Sequence, residues 1–468
     1  MMRQGWSYLL VALLALAPLS PARAEPDGGL SRVLEQARAA VQRVRGLPFL
    51  RDVPVETPSP EDGRRLLDRL IARELPESVA RGQERILEGL QLLPAGYALR
   101  EELEAILGEQ ALGLYDGERG VMVVFAGSGV AAELPSATVL IHEYDHALVD
   151  QHFGFERRRG VVDGPGREDR HFAWLALAEG DAVLTMLIAT SPGGDPDVEN
   201  FLRGLEERPL EGAPRLAEAP AWIRTLLLEP YRLGTRLVTD AWQRDGWEGV
   251  ERLWRRPPLS SEQLLHADRR GDVPTELQAP PPPAGWRQAA RLQLGELGIA
   301  AWLGVHLDRS RAAAAAAGWD GDLVELLEAD DERSGSSRSG KRLGDLRPGG
   351  TGPEPSVGAG HTRPGTGSGS GKAYRTGVGS APAAAVEQRL RILTTWDTAA
   401  DAGEFSEAVM AWLDQGAETV AHWTLRQTGR GVEIGIELAP SPVGEVELLD
   451  EDPWSGVEFS GNSGGEHL

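Results

Sequence analysis

Ala137-Thr-Val-Leu-Ile-His-Glu-Tyr-Asp-His-Ala-Leu-Val-Asp-Gln-His152 is the stretch that decides the fold. It contains the pattern His142-Glu143-x-x-His146, and residues four apart on a helix lie on one face about one turn apart. Two imidazoles at this spacing can bind one metal ion. Glu143 lies about 100° around the helix, where it reaches a metal-activated water instead of the metal. The spacing therefore predicts a helix with two metal ligands, His142 and His146, and a general base, Glu143.

Apolar residues on both sides of this pattern favour a buried helix. Val139 to Ile141 precede it, Ala147 to Val149 follow it, and Phe153-Gly154 ends the segment. Two histidines and an acid inside a buried helix are costly unless they are paired or bound to metal. The alternative is a solvated helix in which these residues have no joint role.

A second apolar segment supplies the third ligand. Phe172 to Met186 reads as a helix interrupted by Glu179-Gly180-Asp181, and an acid inside such a run needs a partner. Glu179 is the predicted third ligand. Asp181 is expected to orient a ligand by hydrogen bonding or to cap the helix. His152 and His171 are expected to face loops as polar residues.

Composition limits the chemistry that the chain can perform. It has 468 residues, enough for two or three domains, and a formal net charge of -23. This charge argues against nucleic acid and anionic membrane surfaces as partners. The chain has no cysteine, which excludes disulfides, thiolate ligands and cysteine nucleophiles. A metal site made of two histidines and one carboxylate is typical of zinc, here one Zn²⁺ per chain.

The first 24 residues have the pattern of a secretory signal peptide. Arg3 precedes an apolar run from Tyr8 to Leu19, and Ala22-Arg-Ala24 is a cleavage site before Glu25. An uncleaved membrane anchor is the alternative. No later segment approaches 18 uninterrupted apolar residues, so no stable membrane span is expected after cleavage. The sequence predicts a protein exported to the periplasm or the extracellular space.

The remaining chain divides by pattern into further regions. Residues 25–110 are mainly helical, with an extended stretch at Leu47 to Val55, and could act as a propeptide. Residues 111–286 begin with a hairpin in which Val121 to Phe125 is expected to be either an edge strand that pairs with a substrate peptide or an ordinary strand of the sheet. Ser136 is the expected N-cap of the metal-binding helix.

The C-terminal part, residues 287–440, is expected to be a smaller α+β piece. A helix is expected at Arg291 to Trp302, and strands at Arg389 to Thr395 and Gly431 to Leu438. Residues 334–380 are rich in Gly and Ser and predict a disordered insertion within this piece, and 441–468 predict a mobile acidic tail.

The metal-binding pattern with a downstream helical glutamate resembles the gluzincin metallopeptidases. The fuller wording is similar to a little-characterised group of exported bacterial and archaeal zincins, whose members tend to read H-E-x-T-H-A-L-x-D-Q and E-G-D-A. The segments that carry this resemblance are His142–Phe153, Leu177–Ala182, Gly113–Asp116, Pro257–His266, Gly318–Asp322 and Trp396–Phe405.

The resemblance implies a predominantly helical α+β fold. A zincin-like catalytic domain with a small mixed sheet and an active-site helix would occupy residues 111–286, beside the smaller C-terminal piece. It also implies zinc-dependent peptide hydrolysis, with His142, His146 and Glu179 as the zinc ligands and Glu143 as the base. Two departures from the pattern are Asp145, where the group has Thr, and Val183, where many gluzincins have an Asp.

Zincins generally use a hydrogen-bond donor to stabilise the developing oxyanion, and Tyr231 and His266 are the candidates here. The function expected from the sequence is an exported zinc peptidase that acts on a peptide or protein substrate. Two alternatives are a zinc-binding module of the cell envelope without turnover and a zinc hydrolase of a non-peptide amide. The presence of Glu143 favours an enzyme, because a non-catalytic site has no need of a base.

Overall fold

The computed structural model describes residues 29–125, 137–162, 164–207, 213–329, 371–378, 388–415 and 420–438. Over these residues the protein is an α+β fold in which helices predominate, which confirms the fold class expected from the sequence. The expected signal peptide, the expected N-cap Ser136 and the expected C-terminal tail lie outside the described residues.

Helices and strands are numbered in chain order within the described residues. The helices are α1 (Gly29–Arg45), α2 (Pro60–Glu74), α3 (Glu77–Gly89), α4 (Leu99–Gln110), α5 (Ala137–Phe153), α6 (Phe155–Val162), α7 (Glu168–Thr190), α8 (Val198–Glu207), α9 (Pro214–Glu218), α10 (Ala221–Arg255), α11 (Ser261–Leu265), α12 (Gly295–Gly304), α13 (Arg309–Ala316) and α14 (Ala399–Gln415). The strands are β1 (Val55–Glu56), β2 (Gly113–Asp116), β3 (Val121–Val124), β4 (Trp286–Leu292), β5 (Trp319–Ala329), β6 (Gly371–Val378), β7 (Gln388–Trp396), β8 (Val420–Thr428) and β9 (Gly431–Leu438).

A small mixed sheet lies beside α5, with strand order β1-β3-β2. β1 pairs parallel to β3, and β2 pairs antiparallel to it. The prediction that Val121 to Phe125 forms an edge strand is therefore wrong, because Val55 of the N-terminal region pairs with Met122. The outer edge of the sheet on the α5 side belongs to β2, whose four residues are buried and whose Tyr115 N–H donates to Glu143 on α5.

Three apolar helices, α5, α7 and α10, form the centre of the core. Residues 138–150 of α5 are all buried, and the helix ends at Phe153 because Gly154 adopts a positive φ of 66°. α7 continues without a break through Glu179-Gly180-Asp181 and has the length and hydropathy of a membrane-spanning helix. Of its most apolar 18-residue stretch, 83% is buried inside the protein, as expected for a core helix. His171, expected to face a loop, is buried in the first turns of α7.

The C-terminal sheet has six antiparallel strands in the order β4-β5-β7-β9-β8-β6 and packs against α12 and α14. The structure differs from two expectations here. The helix expected from Arg291 begins only at Gly295, the first residue of α12, because Arg291 and Leu292 end β4. Within the insertion expected to be disordered, residues 371–378 form β6, which pairs with β8, and the other residues between 334 and 380 lie outside the described ones. Main-chain hydrogen bonds form this pair, so the strand does not require the apolar side chains whose scarcity led to the prediction of disorder.

Five buried acids lie where α7, α11, α12 and β5 meet: Glu168, Asp169, Glu262, Glu296 and Asp322. Backbone N–H groups at the start of α12 donate to them; Leu294 and Gly295 bind Asp322, and Gln293 binds Glu168. Burial nevertheless raises the pKa of Asp169 to about 8, that of Glu168 to about 7 and that of Asp322 to about 6.

These raised pKa values predict a loss of stability as the pH rises. An acid whose pKa is higher in the folded than in the unfolded state stabilises the fold at pH values below the unfolded pKa. It loses this contribution as the pH passes the folded pKa. The free energy of unfolding of the metal-free chain is therefore expected to fall between about pH 4 and pH 8. Asp169→Asn should flatten this slope and stabilise the chain by roughly 1–3 kcal/mol at pH 8.

Urea unfolding at pH 5 and pH 8 measures this effect. Asp195→Asn, at an exposed position, serves as the control and should leave the slope unchanged. An identical pH slope for Asp169→Asn and the original chain would show that burial does not perturb this carboxyl group.

Candidate metal centre

His142, His146 and Glu179 meet at one buried point between α5 and α7. His142 Nε2 lies 3.0 Å from His146 Nε2 and 3.1 Å from Glu179 Oε2, and His146 Nε2 lies 3.8 Å from the same carboxylate oxygen. The three side chains are at most 3% exposed. The helical spacing of the two histidines and the uninterrupted α7 bring together the ligands that the sequence indicates, and this group could hold a metal ion.

The separations within this group suit a tetrahedral ion. Ligand atoms at the usual 2.0–2.2 Å from Zn²⁺ lie roughly 3.4 Å apart at tetrahedral angles. The three observed separations, 3.0, 3.1 and 3.8 Å, bracket that value. The donor set of two imidazole nitrogens and one carboxylate oxygen is also one that zinc prefers. The residues present therefore fit the ion.

Electrostatics at this point favour a cation. Burial lowers the pKa of both His142 and His146 to about 3, so both imidazoles are neutral and keep a nitrogen lone pair for a ligand bond. Burial raises the pKa of Glu179 to about 7, against the effects of His146 and of a hydrogen bond from Tyr231. A divalent cation would offset the cost of ionising this buried carboxyl group.

Glu143 lies beside the ligands with one carboxylate oxygen held and the other unpaired. The backbone N–H of Tyr115 on β2 donates to its Oε2 at 2.8 Å. Its Oε1 is buried and has no hydrogen-bond partner within the described chain. Burial, reinforced by the charge of Glu179, raises the pKa of Glu143 well above its usual range. The carboxylate is oriented by the strand and has a high affinity for a proton.

Tyr231, a candidate donor, contacts two of the three ligands. Its ring lies 6.2 Å from the His142 ring at an interplanar angle of 24°, and its hydroxyl group hydrogen-bonds Glu179. α10 positions it, since Tyr231 lies in the part of α10 that packs along α7.

His266, the other candidate donor, belongs to a different group of residues. Its Nε2 lies 2.7 Å from Glu296 Oε1 on α12, among the buried acids described above. That contact raises the pKa of His266. His266 is not part of the group formed by His142, His146 and Glu179, and a role at an oxyanion stays a prediction.

Asp181 lies in a buried ion-pair network behind the ligands. Arg45 Nη1 at the end of α1 donates to Asp181 Oδ1 at 2.7 Å and to Asp145 Oδ1 at 2.9 Å. Trp254 Nε1 on α10 donates to Asp181 Oδ2 at 2.6 Å. All the side chains of this ion-pair triad are at most 1% exposed. Asp145 follows Tyr144 and precedes His146, so the network ties α1 and α10 to the turns that carry the ligands.

The sequence did not reveal this network, because Arg45 is distant in sequence from both acids. A kink in α10 adds an aromatic contact to this network. Asp245 and Gly246 leave the helical conformation, with φ of 60° at Gly246, and the chain turns so that Trp247 lies over the Arg45 guanidinium at 4.3 Å. An arginine at the end of the amphipathic helix α1 was the one available signal.

Gly180, in the middle of Glu179-Gly180-Asp181, marks the closest approach of α7 to α10. A Cβ at position 180 would overlap the Gly234 carbonyl group and would lie 2.7 Å from Thr235 N. A Cβ at Gly234 would likewise overlap the Ala176 carbonyl oxygen. The two glycines let the helices approach closely enough for Tyr231 to contact Glu179.

Gly180→Ala is expected to destabilise the protein by about 3 kcal/mol or more, because backbone atoms of α10 must move to accommodate the methyl group. It should also weaken metal binding, since Glu179 and Tyr231 would separate. Gly108→Ala in α4 is the control: nothing lies within 4 Å of a Cβ there, and alanine favours the helix. Urea unfolding of both variants measures the difference, and equal stabilities would contradict the close approach.

The chain matches no protein-family model, no curated protein and no solved structure.

Proposed function

We propose that the chain is an exported zinc-dependent peptidase, with His142, His146 and Glu179 as the ligands of one Zn²⁺ and Glu143 as the general base. The observation that carries this proposal is the unpaired, buried Oε1 of Glu143 beside three clustered ligand atoms. The resemblance of these residues to the gluzincins supports it, and with it a zincin-like arrangement of β1–β3 and α5.

Zinc at this site would supply Lewis acidity, which polarises a carbonyl group and makes an attacking water more acidic. The protein supplies the base. Glu143 Oε1 accepts the proton of the attacking water, while the Tyr115 N–H keeps the carboxylate in one orientation. Its high proton affinity suits it to hold that proton and then to donate it to the leaving amine.

Tyr231 is the proposed donor to the oxygen that becomes negative during attack. Its hydroxyl group already lies at the ligands, where it donates to Glu179. A preorganised donor in a site with little water stabilises developing charge more than it would in bulk water.

The outer edge of β2 is the proposed binding site for an extended peptide. The Tyr115 N–H points away from β3, and in an antiparallel pair alternate residues share this direction, so the backbone of Gly113 does as well. A Cβ at Gly113 would lie 3.7 Å from Glu143 Cγ. Because the Tyr115 N–H stays on Glu143, a peptide at this edge would pair with the backbone of Gly113 and pass next to the base.

One observation favours the alternative of a zinc-binding module without turnover. The three ligand side chains are at most 3% exposed, which is typical of a structural metal site that substrates do not reach. A zinc hydrolase of a small non-peptide amide shares the ligands and the base with the peptidase.

Hydrolysis of casein by the purified chain starting at Glu25, with zinc measured in the same sample, tests the proposal. The expected result is one zinc per chain and cleavage that stops on chelation and returns with added zinc. Retained zinc without cleavage of casein or of a diverse peptide mixture would favour the module. Cleavage of simple acyl amides alone would favour the amide hydrolase.

A further inference from the structure

A cleft of about 120 Å³ lies away from the metal centre, at the first turn of α7. Arg170 in its wall precedes Glu179 by nine positions on the same helix, which corresponds to roughly 14 Å along the helix axis. The rest of the wall comes from β4, from the start of β5 and from the extended segment at 274–278. The lining includes Arg167, Arg170, Glu276, Arg291, Asp322 and Leu323.

Three arginines line this cleft. Arg167 is the residue that precedes α7, Arg170 lies in the first turn of α7, and Arg291 lies on β4. Glu276 Oε1 lies 3.6 Å from Arg167 Nη2 and 3.7 Å from Arg170 Nη2, distances too long for hydrogen bonds. The Glu276 side chain is 60% exposed, so this carboxylate is a weak partner that water or another anion can replace.

The other acids near the cleft are already engaged. Asp322 accepts hydrogen bonds from the backbone of Leu294 and Gly295. Glu325, directly opposite Arg291 in the sheet, accepts two hydrogen bonds from Arg391. Within the part of the chain that the structure describes, Arg291 makes no ion pair shorter than 4.0 Å. The guanidinium groups of Arg170 and Arg291 therefore face one exposed carboxylate, that of Glu276.

This local excess of positive charge is unusual in a chain with a net charge of -23. Guanidinium groups bind carboxylate and phosphate oxygens through paired N–H donors. Leu259, Leu277 and Leu323 supply an apolar part of the wall.

We propose that this cleft binds the oxyanion group, carboxylate or phosphate, of a small solute, with Arg170 and Arg291 as the main contacts. Glu276 occupies part of the same space and competes with the ligand. The proposal is independent of the metal centre and of the function proposed for it.

Isothermal titration of the purified full chain tests the proposal with three probes: inorganic phosphate, N-acetylleucine and N-acetylleucine amide. Phosphate or N-acetylleucine should bind saturably below about 10 mM, and the neutral amide should not bind. Tighter binding of N-acetylleucine would identify a carboxylate beside an apolar group as the ligand. Tighter binding of phosphate would identify a phosphate ligand.

Single substitutions distinguish a specific binding site from general charge attraction. Arg170→Gln and Arg291→Gln should each weaken binding roughly tenfold, and Glu276→Gln should strengthen it because the competing carboxylate is gone. Arg311→Gln, on the exposed first turn of α13, should change the affinity by less than about twofold. The proposal fails if neither anion saturates, if the amide binds as well as the acid, or if all four variants bind alike.

Discussion

Glutamine at position 143 is expected to lower the rate of peptide hydrolysis by about 10²- to 10⁴-fold while zinc content stays at one per chain. The amide cannot accept a proton as the carboxylate does. It keeps a carbonyl oxygen that can accept the Tyr115 N–H, so the side chain should stay in place. Initial rates on casein and zinc content in the same samples measure both parts of the prediction.

Glu35→Gln, at an exposed position on α1, is the matched control and should keep the full rate. A Glu143→Gln protein with a normal rate would remove Glu143 from the chemistry. One that loses its zinc would instead make Glu143 part of the metal site.

Arg45→Met is expected to cost about 3–5 kcal/mol of stability, because it leaves Asp145 and Asp181 buried without their cation. The guanidinium stacked on Trp247 would also be lost. In molecules that remain folded, zinc affinity should fall, since α5 and α7 lose the bond that joins the turns next to His146 and Glu179. Urea unfolding and competitive zinc titration measure the two effects separately.

Arg38→Met on the same helix is the matched control. Its ion pair with Asp52 is exposed, so the expected loss is at most about 1 kcal/mol, with zinc affinity unchanged. If Arg45→Met cost no more than Arg38→Met, the buried network would not support the metal centre.

The Arg45 network bears on the suggestion that the N-terminal helical region acts as a propeptide. α1 supplies Arg45, and β1 of the same region pairs with the central strand of the small sheet. Removal of this region would leave Asp145 and Asp181 without their cation and one side of β3 without its partner strand. These contacts favour a structural role for the region over that of a propeptide.

Local spacing predicted most of the candidate metal centre. His142 and His146 share a helix, so their separation follows from helix geometry alone, and the length of the intervening loop permits Glu179 to return to them. The end of α5 at Gly154 also follows from a local preference of glycine.

Features that depend on distant pairing were not predictable in this way. The pairing of Val55 with Met122 makes β3 a central strand, and nothing in the sequence of Val121 to Phe125 indicates that partner. The Arg45 network and the contact between Gly180 and Gly234 likewise join segments that are tens of residues apart. The sequence around Gly180 predicted an interruption of the helix. In the structure α7 is continuous there, and Gly180 is the point at which α10 approaches the candidate ligands.

Zinc content after dialysis, measured by mass spectrometry on the original chain and on Glu179→Gln, tests the central claim most directly. The original chain should keep one zinc per molecule. Glu179→Gln should keep much less, because a neutral amide is a poor zinc ligand and leaves only two histidines. No zinc in the original chain, or equal zinc in both proteins, would contradict the assignment of His142, His146 and Glu179 as a metal centre.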